Sequence, residues 1–541
     1  MQRPVSQVLA DRSSVTIILI VLSFVIAVVS SIPLGILSAT RRGSALDRFA
    51  SAVTLTGLSA PSFALAIVGI YLFAMLLPIF PAYGAGSGIW DQLYHLILPS
   101  IVLAAGIGAI LMRMTRAAVI RELDGDAITF ARARGLSQQV VQRIALRGAL
   151  IPIVTSAGLI LTFIIGGTII VETVFALPGI GQAARRVRAV QRPADGAGPD
   201  PPGGRGDRHR DGDRRPQLSG VRSPGAGEGA EPMTLENGAP PIDGGFENPG
   251  QGVPSTPTER IAAVGRARTQ SLKHRSWTVI VSAVFLVLVV ITAIASPFLQ
   301  TAATAQHIMD ATLPPGTIGH PLGTDELGRD VLLFTLAGTG SATVGPVVIA
   351  AGSMVLAIIF GTVAGYLRGT TDWVIGRVVD ILLSLPVMLV ALVVAGVFGA
   401  GYWVTVVMLI FLFCPSDIRI VRAGVTEQAP RPYVEAAQML SLSPAKIMYR
   451  HIVPNVWPLI VTNFLLNVAI ALVTLSSLSF LGIGVAPGTP DWGRQISDGQ
   501  NIMSENPAML IVPALLIVLV AMAVNVLGDW LDDTLRERGL Q

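Results

Sequence analysis

Long apolar stretches alternate with short polar ones along most of this chain. The first apolar run covers about 15–37, the second 51–80 with Pro61 inside it, the third 96–112 and the fourth 149–177. Each is close to or above the roughly 20 residues that an α-helix needs to cross a bilayer. From Ala183 to about Arg275 the pattern stops. Gly, Pro, Arg and Asp dominate there, as in Asp200-Pro201-Pro202-Gly203-Gly204. Such a composition buries too little surface to offset chain entropy and predicts disorder. Apolar runs resume at about 277–294, 342–366, 374–397, from 404 onward, 456–481 and 509–527. The pattern predicts four spans, a break, and six more spans.

Composition narrows the class. Hydrophobic residues make up 52% of the 541 and charged residues only 13%, with a mean hydropathy of +0.64. A soluble globular chain carries about 25% charged residues, so an ordinary soluble enzyme is excluded as the whole answer. In hydrocarbon every backbone amide needs an internal partner, and runs of this length predict an all-α, polytopic membrane protein. The single cysteine, Cys414, excludes an internal disulfide framework and a multi-cysteine metal site. A net charge of +4 would point to nucleic acid in a soluble chain. Here the arginines belong to cytoplasmic loops, and no nucleic-acid partner is expected. No signal-peptide cleavage pattern precedes the first run, whose length suits a retained helix.

Lys and Arg in short loops set orientation. Residues 38–50 carry Arg41, Arg42 and Arg48, and residues 113–147 are rich in arginine, so both face the cytoplasm. Residues 78–95 have no Lys or Arg and face outward. The first half therefore ends outside, near Gly179. In the second half Lys273 and Arg275, the stretch from Arg419 to Arg450, and Arg536 with Arg538 lie inside. Residues 297–341 and 485–507 lie outside. Six spans with both ends inside are self-consistent, but the two halves conflict. The break must cross the membrane, and it contains no segment able to do so.

Two cytoplasmic loops share a plan. One reads Ala127-Ile128-Thr129-Phe130-Ala131-Arg132-Ala133-Arg134-Gly135-Leu136, followed by Arg143, Arg147 and Pro152. The other reads Tyr433-Val434-Glu435-Ala436-Ala437-Gln438-Met439-Leu440-Ser441-Leu442, followed by Arg450, His451 and Pro454. Each predicts a short helix, a turn, a second short helix and a helix entry at proline. Small residues at Ala131, Ala436 and Ala437 permit close approach to another surface, and Gly135 allows a sharp turn.

This pattern resembles the "EAA" coupling loop of bacterial ATP-binding cassette importer permeases, in the dipeptide/oligopeptide/nickel branch. In the first half, Pro33-Leu34-Gly35-Ile36-Leu37, then Leu58, Ser59, Pro61, Ser62 and Phe63, and the run from Glu172 to Gly181 resemble a B-type subunit. In the second half, the run from His320 to Asp330 and the run from Leu478 to Val485, continuing to Pro490, Trp492 and Gly493, resemble a C-type subunit. The sequence departs from the pattern at Ser441, where the loop glycine is expected, and at Thr129 and Phe130, where Glu and Ala are expected.

The resemblance implies a type I importer permease fold in three parts: a B-type half over 1–182 with Met1 just before the family's second span, a linker over 183–276, and a C-type half over 277–541. It implies import of di- or oligopeptides, glutathione or nickel chelates across the bacterial inner membrane, with two separate ATPase subunits and an extracytoplasmic binding protein as partners. Thr129, Ala131, Gly135, Glu435, Ala436, Ala437 and Ser441 are the expected ATPase-coupling residues. Glu435 would orient its loop by capping or by a salt bridge to the ATPase, or else is an ordinary solvated acid at a helix start. The chain itself has no ATP site, because a P-loop needs Gly-Lys-Ser/Thr and the two lysines, Lys273 and Lys446, follow Leu272 and Ala445. No catalytic residue, cofactor or metal is expected, and lipid is the surrounding solvent. The outer segments 78–95, 301–329 and 485–507 are the expected docking surface for the binding protein. His320, Asp325 and Asp330 are read as loop structure in preference to a metal site. Glu172, Asp372 and Asp380 are read as anchors near span ends.

The break also admits a genetic explanation. Shifted by one nucleotide, permitted codons for 183–225 can encode a short polar segment followed by an uncharged apolar run. A frameshift near Gln182, with Met233 as the natural start of the second subunit, would remove the topology conflict and make the fused product non-functional. A true fusion with a long linker is the alternative. A secondary transporter needs no ATPase and is expected to show paired charges or broken helices at mid-membrane, which the pattern does not show.

Overall fold

The computed structural model describes residues 5–179, 257–385, 387–398 and 401–539. The chain forms two compact units, residues 1–191 with 273–541, and residues 192–272. Of the expected linker, 183–256 lie outside the described residues, as does Met233. Residues 257–276 are helical, so the helix starts well before the apolar run at Trp277. Pro257 opens it, at a position where a missing N–H costs nothing.

All regular structure among the described residues is helical, and β-pairing is limited to the isolated bridges Thr317–His320 and Thr324–Asp330. The first half contains α1 (Val5–Thr40), α2 (Ala45–Ser59), α3 (Ser62–Ile70) with a π-turn over Tyr71–Leu76, α4 (Ile89–Leu123), α5 (Asp126–Ala133) and α6 (Gln138–Val174). The second contains α7 (Pro257–Ala303), α8 (Val331–Ala337), α9 (Thr339–Leu367), α10 (Gly369–Leu383), α11 (Val387–Phe398), α12 (Tyr402–Gln428) and α13 (Pro432–Met439). A turn over Pro444–Lys446 and a π-turn over Ile447–Ile452 then lead into α14 (Val453–Phe480), α15 (Trp492–Asp498) and α16 (Ala508–Gly539).

Among the described residues, eight stretches are long and apolar enough to cross a membrane. The two remaining apolar runs, 51–80 and 374–397, are broken helices. Pro61 follows Ala60, which adopts φ −90°, ψ 120°, and α3 starts afresh at Ser62. Proline pushes the preceding residue out of the α region. The second break falls between Leu383 and Val387, around Pro386 of the sequence. Both breaks fall inside runs that the apolar pattern reads as continuous.

The elements recur in the same order, α1 to α6 matching α9 to α14. In the first half Gly35 lies so close to α4 that an added Cβ would sit 2.9 Å from the Met112 carbonyl oxygen and from Thr115 Cβ. In the second half Gly361 lies equally close to α12, with 2.9 Å to the Ile418 oxygen and 3.0 Å to Val421 Cβ. The halves share one core. Phe63 of α3 stacks on Phe480 of α14 with centroids 5.2 Å apart. Leu19, Ile67, Leu103 and Ile164 join Trp492, Leu510 and Ile517 in the same buried cluster. Conversely, Val284, Val287, Ile291 and Ile294 of α7 are exposed, an apolar surface suited to hydrocarbon.

Candidate functional site

Helix α5 begins after Gly125, whose carbonyl accepts the Ile128 and Thr129 N–H groups, with Asp126 in the favourable first turn. It ends in a Schellman turn. The Leu136 N–H donates to the Ala131 carbonyl at 3.2 Å and the Gly135 N–H to Arg132 at 2.9 Å, with Gly135 at φ +73°. This conformation costs glycine nothing. Helix α13 closes in the same way. The Leu442 N–H donates to Ala437 at 3.3 Å and the Ser441 N–H to Gln438 at 2.9 Å. Ser441 takes the left-handed position at φ +53°, so the turn survives the loss of glycine.

Gly135 and Ser441 stand 306 residues apart, as do Thr129 and Glu435, Ala131 and Ala437, and Pro152 and Pro458. The two loops are thus equivalent positions of one repeat. Their inner faces are alike. Ile128 and Ala131 are buried against Val119 and Leu123 of α4 and Val141 and Ala145 of α6. Val434 and Ala437 are buried against Val421 and Val425 of α12 and Ile447 and Ile452 of the π-turn. The surface that Ala131 and Ala437 approach is therefore the chain's own helix bundle, because side chains three apart share a helix face.

Thr129 and Glu435 lie on the exposed faces, with Ala436. The Glu435 carboxylate makes no intrachain hydrogen bond or ion pair among the described residues, and α13 has no side-chain N-cap, so the capping role for Glu435 is not met among them. The outer faces also present large apolar side chains that the motif comparison did not single out. Phe130 is 65% exposed, Met439 84% and Leu440 74%. The Arg134 guanidinium lies 5.8 Å from the Phe130 ring centre. Their helical spacing from the buried Ile128 and Val434 was a signal available in the sequence.

The span before each loop is tied to the helix that precedes it, α4 to α2 and α12 to α10. Arg116 of α4 donates from Nε to Asp47 Oδ1 at 3.0 Å and from Nη2 to Asp47 Oδ2 at 3.2 Å. Arg422 of α12, in the same register, donates to Asp372 Oδ2 at 2.7 Å. Burial pushes the Asp47 carboxyl up, but hydrogen bonds from Arg116, Ser38 and the Gly43 N–H, with the Arg116 charge, bring it down to about 2. Asp372 thus ties α10 to α12, and Asp380 does likewise through Arg419 at 2.7 Å. Glu172 is fully buried and accepts from Thr16 Oγ1 at 2.5 Å. Asp417 of α12 was missed. It is 1% exposed and accepts from Asn463 and Asn467 of α14 at 2.7 and 2.6 Å.

At the other end of the bundle, residues 301–329 form a fixed loop. Asp325 accepts from the Leu327 and Arg329 N–H groups at 2.9 Å and from Arg329 Nε at 2.6 Å. Arg329 reaches the Gly488 carbonyl, and Asn506 Nδ2 donates to the carbonyls of Leu322 and Thr324. His320 Nδ1 lies 2.7 Å from Asp330 Oδ2. These contacts bind 301–329 to 485–507 as one surface, and His320, Asp325 and Asp330 are engaged within it.

The family described as "Binding-protein-dependent transport system inner membrane component" matches residues 31–192 and again 357–538. The glutathione transport system permease protein GsiD of Pectobacterium atrosepticum is 33% identical over 216 residues, 40% of this chain and 72% of that protein. The di/tripeptide permease DppC of Pseudomonas aeruginosa is 29% identical over 46% of this chain and 85% of its own length. The oligopeptide permease OppC of Bacillus subtilis is 31% identical over 47% and 84%.

Proposed function

Because the chain belongs to the binding-protein-dependent transport system inner membrane components, multi-pass permeases of ATP-binding cassette importers in the bacterial inner membrane, we propose that α5 and α13 are its coupling helices. Each seats in a groove on one of two separate ATPase subunits. Closure of the ATPases on ATP pushes the helices, and the push passes through Ile128, Ala131, Val434 and Ala437 into α4, α6, α12 and α14. The observation that carries this reading is the pair of equivalent helix–turn units with buried inner faces and exposed apolar outer faces. Thr129, Glu435 and Ala436 meet the ATPase, and Gly135 and Ser441 shape the turn that presents them. Glu435, free within the chain, is the partner for a basic group there. The relatives named for glutathione, di/tripeptides and oligopeptides support a peptide cargo, delivered by a binding protein onto 301–329 and 485–507. Co-purification tests the reading: the full chain should retain two ATPase subunits, and Glu435→Arg combined with Phe130→Asp should release them.

A second reading rests on the charge pattern, which ends the first half outside and begins the second inside. A frameshift near Gln182 would make this exact polypeptide inactive. The nucleotide sequence of an independent isolate decides: an intact apolar span after Gln182 supports the frameshift, and the same Arg-rich segment supports a true fusion. Peptide uptake restored by this exact chain in a permease-deficient strain rejects it.

A further inference from the structure

Where the apolar run of α4 gives way to arginine, the two halves of the repeat differ. In the second half Arg419 is satisfied within the chain by Asp380. Arg113 holds the register of Arg419, 306 residues earlier. Counted back through the shared Leu-Ser-x-Pro segment, 58–61 and 383–386, the register of Asp380 falls on Leu55. Arg113 consequently makes no hydrogen bond or ion pair among the described residues. Beside it lies a cavity of about 250 Å³ lined by Ser38, Ser51, Thr54, Arg113, Arg116 and Asp529. By the same register Ser51 and Thr54 stand where the second half has Gly376 and Val379, and by the match of Gly35 to Gly361 Ser38 stands where it has Ala364. The first half thus has hydroxyls and a guanidinium without a partner among the described residues, where the second has Gly376, two small apolar side chains and a closed ion pair. Arg116 spends Nε and Nη2 on Asp47 and Ser38, which leaves Nη1.

We propose that this cavity binds one phosphate-type oxyanion, with Arg113 as its main ligand and Arg116 Nη1 and the Ser51 and Thr54 hydroxyls around it. Guanidinium groups match phosphate through paired N–H donors. Arg113 follows directly on the apolar run and opens the arginine-rich cytoplasmic loop, which is the depth of inner-leaflet headgroups. The Asp529 carboxylate on the α16 wall offsets part of the two arginines' charge and so limits the cavity to a single anion. Since α2 and α4 belong to the first half and α16 to the second, the occupant bridges the two. A lipid headgroup and free phosphate offer the same chemistry.

Native mass spectrometry of the full chain in mild detergent tests this, with short-chain phosphatidylglycerol, inorganic phosphate and neutral diacylglycerol as separate probes. The wild type should hold one phosphate-bearing probe more tightly than Arg113→Gln by about tenfold or more. Ser51→Asp, which puts a second carboxylate on the cavity wall, should give the same loss, while Arg419→Gln should not. Binding of phosphatidylglycerol alone identifies the headgroup as source, and equal competition by inorganic phosphate identifies the free ion. If Arg113→Gln does not fold, Ser51→Asp carries the test, read also as loss of the melting-temperature rise on adding the probe. Unchanged binding in the folded variants, or equal binding of neutral diacylglycerol, overturns the proposal.

Discussion

Ser441 and Gly135 occupy the same left-handed turn at φ +53° and +73°, and only glycine does so without a Cβ penalty. Ser441→Gly should raise the stability of the purified chain by about 1 kcal/mol, read from chemical denaturation. Gly135→Ala should lower it by a similar amount. An added Cβ at Gly135 meets nothing within 4 Å, so the cost is backbone strain alone. Asp47 gives a pH signature. Its carboxyl is held at about 2 against an ordinary 3.8. The stability it contributes is complete above about pH 4 and is lost as the pH falls toward 2. Asp47→Asn should flatten that acid limb and cost about 2 kcal/mol at neutral pH. At this scale the sequence was readable where residue type dictates geometry, as at Gly135 and Pro61. It was silent where partners come from afar: nothing near Asp417 announces Asn463 and Asn467, because that contact joins two helices.

At the scale of the element, the amphipathic split of α5 and α13 is the central feature. Ile128→Asp or Val434→Asp buries a charge against apolar helices and should destabilise the chain by roughly 3 kcal/mol or more. Phe130→Asp with Met439→Asp alters only exposed positions. That pair should leave the melting temperature within about 2 °C and lower ATP-driven uptake in reconstituted vesicles at least about tenfold. Apolar periodicity exposed most helices and their order, since length and hydropathy alone decide a span. It merged α2 with α3 and α10 with α11, because an apolar run with one proline reads the same whether the helix kinks or stops. It also assigned Ala131 and Ala437 to an outside surface, although their three-residue spacing from Ile128 and Val434 placed them on the packed face.

Over the whole molecule, two repeats share a core centred on Phe63 and Phe480 and carry equivalent loops. Motif order along the chain revealed the two halves. Their mutual packing was not legible, because contacts between α3 and α14 leave no periodic trace. A mechanical link follows from the shared core: force entering at either loop reaches helices that pack on the other half. The native Cys414 is buried, so engineered thiols can be labelled selectively. The most direct test is cross-linking of Thr129→Cys and of Glu435→Cys to the ATPase subunits in sealed inverted vesicles, with and without ATP. Both positions should cross-link to ATPase, and nucleotide should change the yield at both. Labelling of either position by a membrane-impermeant maleimide from the outer side, with no ATPase cross-link, would contradict it.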